Sequence, residues 1–179
     1  MCPLLAFYAG SGTDHRGRRL DDILRRDDAW LEVTHDFIQW LFPLRERSGV
    51  LPSAPLVDDE TARAFAADPG LRAALSRSFA RMLAFYGLAD DGARIGKGPN
   101  WDARTIDWFT RPTHNDLRIT RILKSLCELG CAGDARRFLA ALEALAASEA
   151  DFGVSPTSVT YWRAAVPAGA GHRPAVSHR

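Results

Sequence analysis

His35, Asp36 and Gln39 stand beside Trp40 and Phe42 in one short run, and His114, Asn115 and Asp116 open a second run that continues through Arg118 and Arg121. An imidazole oriented by a carboxylate exchanges protons near neutral pH, so His35, His114 and Asp36 are the candidates for general acid/base catalysis. Adjacent helical residues do not face each other, so Asp36 cannot orient His35 from within one helix, and any pairing has to be tertiary. The same polar groups can instead orient a guest. Large rings contribute much apolar contact area, which makes Trp40, Trp108 and Trp162 candidate walls of a ligand pocket, with His35, Gln39, His114, Asn115 and Arg118 as its polar contacts. Against this stands a structural reading, in which the rings pack between helices and the polar groups cap or make buried hydrogen bonds, Asp116 above all.

Arg111, Arg118, Arg121 and Lys124 give the second run a positive side that can grip a carboxylate or phosphate, or be neutralised by acids elsewhere in the fold. The whole chain offers no matching field. Its 179 residues carry 23 basic and 22 acidic side chains, a net charge of +1, and no stacking motif accompanies them, so nucleic acid is not an expected partner. Gly96-Lys97-Gly98 lacks the glycine spacing, the following Ser/Thr and the preceding strand of a phosphate loop. No metal or cofactor is expected: no close histidine pair has ligand spacing, and His35 and His114 could share an ion only if their helices meet. Cys2, Cys127 and Cys131 are an odd count without a disulfide pattern, which fits a reducing, cytoplasmic compartment. No run approaches the roughly 18 apolar residues of a membrane span, so the expectation is a soluble protein without membrane insertion.

The elements that must position these groups read as helices throughout. The apolar start, Met1 to Gly10, reads as an ordered arm or short strand. A short helix spans Leu20 to Arg26, and Asp27 or Asp28 caps a second that runs through Trp30, Val33, Phe37, Trp40 and Leu41 on one stripe and ends at Pro43. Residues 48 to 56, with Pro52 and Pro55, are a rigid loop. Asp58 and Asp68-Pro69 start two more helices, the latter buried through Leu71, Leu75, Phe79, Met82, Leu83 and Tyr86 and stopped at Gly87. Residues 88 to 99 read as a loop, and Asn100 caps a helix to Phe109. Thr113 and Asp116 have capping-box spacing for a helix that buries Ile119, Ile122, Leu123, Leu126 and Leu129 and stops at Gly130. Two further helices cover about Asp134 to Ser148 and Pro156 to Ala165. The expected fold is all-α: a single multi-helical domain over residues 1–166 with proline-rich interhelical loops, then a flexible tail over 167–179. The His35 and His114 blocks, each with a face to bury, should be neighbours.

His35 to Glu46 and His114 to Leu126 resemble the conserved region of the opioid growth factor receptor family. Phe7-Tyr8, Trp30-Leu31-Glu32, Ser48-Gly49-Val50, Ala54-Pro55-Leu56, Leu83-Ala84-Phe85-Tyr86-Gly87 and Trp101 extend the similarity to about residues 7–165, while Leu51 stands where members tend to carry asparagine. Animal members look like perinuclear or nuclear receptors for an opioid peptide, and this alanine- and arginine-rich chain looks like a compact microbial member. The resemblance implies a small-molecule or peptide-binding domain. The alternatives are a small enzyme that uses a histidine in an aromatic pocket, and a structural or protein-docking module with one protein partner.

Overall fold

A computed structural model describes residues 2–167; the expected tail lies outside the described residues except for Pro167. Ten helices and one two-stranded antiparallel sheet make up the described chain, in the order α1 (Pro3–Tyr8), α2 (Leu20–Leu24), α3 (Asp28–Val33), α4 (Ile38–Leu41), α5 (Asp59–Ala67), α6 (Pro69–Phe85), β1 (Leu88–Asp90), β2 (Ile95–Lys97), α7 (Trp101–Trp108), α8 (His114–Glu128), α9 (Ala132–Ser148) and α10 (Pro156–Ala165). The architecture is mostly α, as the periodicity indicates.

Helices α6 and α8 organise it. Asp68 caps α6 by accepting from the Gly70 amide at 2.7 Å with Pro69 in the first turn, and Leu71, Leu75, Phe79, Met82 and Leu83 turn inward against α1, α2, α5 and β1. Gly87 ends that run at φ +76°, and a Cβ there would meet Trp101 Cα at 2.8 Å, so both conformation and space require glycine. On α8 the Thr113 hydroxyl accepts from the Asn115 amide, and Ile119, Ile122, Leu123 and Leu126 bury one face between α7, α9 and α10.

Three local expectations give way. The arm at the start is α1, with Pro3 in its first turn and Leu4, Phe7 and Tyr8 at helical spacing in the core; a short apolar run does not by itself separate strand from helix. Residues 88 to 99 contain a hairpin in register Leu88↔Lys97, Ala89↔Gly96 and Asp90↔Ile95. Asp91 closes its turn by accepting from the Ala93 and Arg94 amides, with Gly92 at φ +89°. The long helix expected from Asp27 to Leu41 is two short ones, because Thr34 is extended (φ −98°, ψ 129°) and Val33, assigned to the buried stripe, is 72% exposed. The cause of that break lies in α8.

Candidate functional site

Arg118, 4% exposed, projects from the first turns of α8 into the α3–α4 link. Its Nη2 donates to the carbonyls of Thr34 (2.7 Å) and Glu32 (3.4 Å), and its Nη1 donates to Asn115 Oδ1 (3.2 Å). Carbonyls at a helix C-terminus have no partner within the helix, and a cation is the best group to take them. Arg118 therefore ends α3 from 84 residues away in sequence and fixes the extended turn that leads into α4. Its guanidinium also lies over the rings of Phe37 and Phe85, at 5.5 and 5.9 Å. Burial draws its pKa below the usual arginine value, against the opposing pull of Tyr86 and Glu32; an arginine stays charged under such a shift.

The same fork sets the histidines. Arg118 Nη2 lies 3.1 Å from His35 Nδ1, and since a guanidinium only donates, that nitrogen accepts and the neutral ring carries its proton on Nε2. His114 meets His35 edge to face, with ring centroids 4.8 Å apart, and its Nε2 lies 3.5 Å from the Glu32 carboxylate. Asn115, fully buried, donates its side-chain amide to that same carboxylate at 3.2 Å. The two blocks are neighbours, as expected. Among the described residues, no group of three or more His, Cys, Asp or Glu side chains is placed to hold a metal ion.

Burial first, then the Arg118 charge, pulls the His114 pKa below its ordinary value, opposed by Glu32. The unfolded chain then binds more protons than the native state between that lowered pKa and about 6.5. The resulting stability is present above about pH 6.5 and is lost as pH falls through the folded value. His114→Gln should accordingly flatten the fall in melting temperature between pH 7 and 5, measured by circular dichroism; a variant that tracks the parent at every pH would refute the assignment.

Asp36 belongs elsewhere. Its carboxylate accepts from Arg18 (2.9 Å) and Arg16 (3.1 Å) and faces His15 at 3.4 Å, so it braces the 14–18 loop and orients neither candidate histidine. Burial raises its pKa, but the hydrogen bonds and charge of these neighbours outweigh that and hold it below the ordinary carboxylate value. Asp116 is also structural. It accepts from the Ser158 hydroxyl at 2.7 Å, its backbone carbonyl accepts from Trp162 Nε1 at 3.0 Å, and α10 is thereby fastened to α8.

Beside the histidine pair opens a groove of about 740 Å³, floored by α4 and α8 and closed by the 44–50 segment and Tyr161 of α10. His35, Gln39, His114 and Arg118 line it, which brings four of the expected polar contacts together. The tryptophans do not line it. Trp108 is 0% exposed among Tyr86, Trp101 and Phe109, and its Nε1 donates to the Tyr86 carbonyl at 3.1 Å. Trp162 is buried on Asp116 and borders a separate hollow of about 240 Å³ between α9 and α10. Trp40 packs inward on Phe7 and stacks with His15. Each ring sits on the core face of its helix, where burying it contributes most.

The walls are instead Ile38, Leu44, Val50, Leu117 and Tyr161. Val50, Leu117 and Tyr161 are 67%, 71% and 59% exposed, three of the six large exposed hydrophobics among the described residues gathered on one groove. Sequence reasoning passed over them, although Leu117 carries a legible signal: a large apolar side chain off the Ile119–Ile122–Leu126 stripe. At the far end Lys124 pairs with Glu46 at 2.8 Å, and Arg121, its guanidinium donating to the Phe42 carbonyl at 3.1 Å, lines the wall. Arg45 turns away and pairs with Asp59 at 2.7 Å. Gln39, 2% exposed, lies in the groove floor, and its Oε1 is buried without a hydrogen-bond partner.

The family model described as the opioid growth factor receptor conserved region matches residues 6–169. The human opioid growth factor receptor is 43% identical over 105 residues, which cover 56% of this chain and 15% of that protein. The rat receptor is 42% identical over 136 residues, covering 73% of this chain and 23% of its own length, and mouse opioid growth factor receptor-like protein 1 is 36% identical over 119 residues, or 64% and 25%. The chain thus spans a quarter or less of each of these relatives. No solved structure matches it.

Proposed function

The chain belongs to the opioid growth factor receptor conserved-region family, and on that premise we propose that it is a ligand-recognition domain that takes a small molecule or peptide into the groove between α4, α8 and α10. One observation carries the reading: a buried amide oxygen without a partner, Gln39 Oε1, in the floor of a groove ringed by exposed apolar side chains. Unsatisfied buried amides are costly, and exposed apolar groups gathered around a concavity favour an occupant over water. The relatives' name, receptor, agrees with recognition more than with reaction. Native mass spectrometry of protein purified from its host, together with melting temperatures across a panel of metabolites and peptides, tests it. A retained mass or a rise in melting temperature that Leu117→Asp removes is the expected result; no retained mass and no shift sensitive to that substitution would sink it.

A second reading rests on the histidine pair. His35 keeps a proton on Nε2 through its bond from Arg118, and His114 lies against the Glu32 carboxylate, so the two rings at the groove wall could pass a proton to a bound substrate. Turnover of any panel compound, abolished in His35→Gln with unchanged folding, would favour it over simple binding.

A further inference from the structure

Resting on the binding reading above, we propose that the natural occupant of the groove is an acidic peptide segment of a protein partner, one in which a carboxylate side chain stands next to large apolar residues. Charge sets the first condition. Arg47, Arg118, Arg121 and Lys124 line the groove against the single carboxylate of Glu46. Arg118 is spent on the Thr34 and Glu32 carbonyls and on Asn115, but Arg121 has one protein acceptor, the Phe42 carbonyl, among the described residues. Burial lowers the Arg121 pKa and Glu46 and Glu128 raise it, so its half-sunk charge gains from a further anion. The Lys124–Glu46 pair is 37% and 61% exposed, and exposed pairs are worth about 0–1 kcal/mol, so it opens readily to admit an incoming carboxylate.

Shape sets the second condition. Leu117, Val50 and Tyr161 stand up from the rim and are not folded into the floor, the arrangement that receives side chains of a chain lying along the groove. Gln39 sets the third. Its Oε1 is a buried acceptor without a partner and calls for a hydrogen-bond donor, which the N–H groups of a peptide backbone supply. A fatty carboxylate meets the first two conditions and leaves Gln39 unanswered; an inorganic anion meets only the first.

Affinity selection of random short peptides on the full chain, with counter-selection on Lys124→Glu and Leu117→Asp variants, tests the proposal. Leu117 is 71% exposed and Lys124 37%, so neither replacement empties the core, and unchanged circular dichroism spectra confirm that the variants fold. The expected enriched peptides pair Asp or Glu with large apolar residues, bind by fluorescence anisotropy at low salt, and lose about tenfold or more in affinity to either variant and to amide replacement of their own acids. Enriched peptides that tolerate amide replacement but still need Leu117 would overturn the acidic specificity and leave the binding reading standing. Octanoate or phosphate raising the melting temperature in a Lys124-dependent way while no peptide is enriched would overturn the peptide and keep a small anionic ligand. No binding of peptide, octanoate or metabolite sensitive to either variant would remove both readings.

Discussion

Replacing Arg118 with methionine is expected to destabilise the protein by about 3–5 kcal/mol, the cost of removing one partner from a buried charged network. Methionine fills much of the volume but donates nothing. The Thr34 and Glu32 carbonyls and the Asn115 side-chain oxygen would each lose a donor, and the Glu32 carboxylate would lose the attraction of the Arg118 charge. Arg118→Lys should fall between the parent and the methionine variant, since an ammonium keeps the charge but cannot span acceptors on α3, the Thr34 turn and α8 as the planar fork does. Urea unfolding would show a lower midpoint with the slope unchanged. Since His35 and Gln39 follow the turn that Arg118 holds, the methionine variant should also lose any ligand-dependent rise in melting temperature. A loss of stability under about 1 kcal/mol would mean that the α3–α4 break is held by something else.

Trp108→Ala should cost a similar 3–5 kcal/mol, the usual price of emptying a buried aromatic site. Its ring lies within 5.1 Å of Tyr86, 5.4 Å of Phe109 and 6.3 Å of Trp101 by centroid, so the cavity opens in the centre of an aromatic cluster that cannot collapse around a methyl group. Trp108→Phe isolates the polar part. It keeps a ring while leaving the buried Tyr86 carbonyl without its donor, for a loss of about 1–3 kcal/mol. A tryptophan that walled a ligand pocket would behave in the opposite way, with binding impaired and stability little changed. Thermal unfolding and ligand titration of the two variants distinguish these outcomes, and intact stability in Trp108→Ala would return this residue to the ligand-contacting set.

Local physics made most helices legible in the sequence. The Asp58, Asp68 and Thr113 caps all accept from their own first turns, whereas the expected Asn100 cap does not form because that side chain donates to the Ala84 carbonyl. The apolar spacing of α6 and α8 marks their buried faces without reference to any other segment. The His35 and His114 blocks could likewise be recognised as partners, because each carried a face that needed covering. What the sequence left open depended on contacts across long separations. Arg118 meets Thr34 across 84 residues and His35 across 83; the first contact holds the turn at which α3 stops and Val33 faces water, and the second makes His35 Nδ1 an acceptor. Propensity is a weak prior that a buried cation overrides by satisfying carbonyls no local residue could reach. Asp36, adjacent to His35 in sequence, was drawn off to Arg16 and Arg18 for the same reason. The tryptophans marked where apolar area would be buried, but only packing could decide whether that area faced a guest or the protein's own interior. The interior took all three, and the groove was left to Leu117, Val50 and Tyr161, residues whose significance exists only once α4, α8 and α10 are placed side by side.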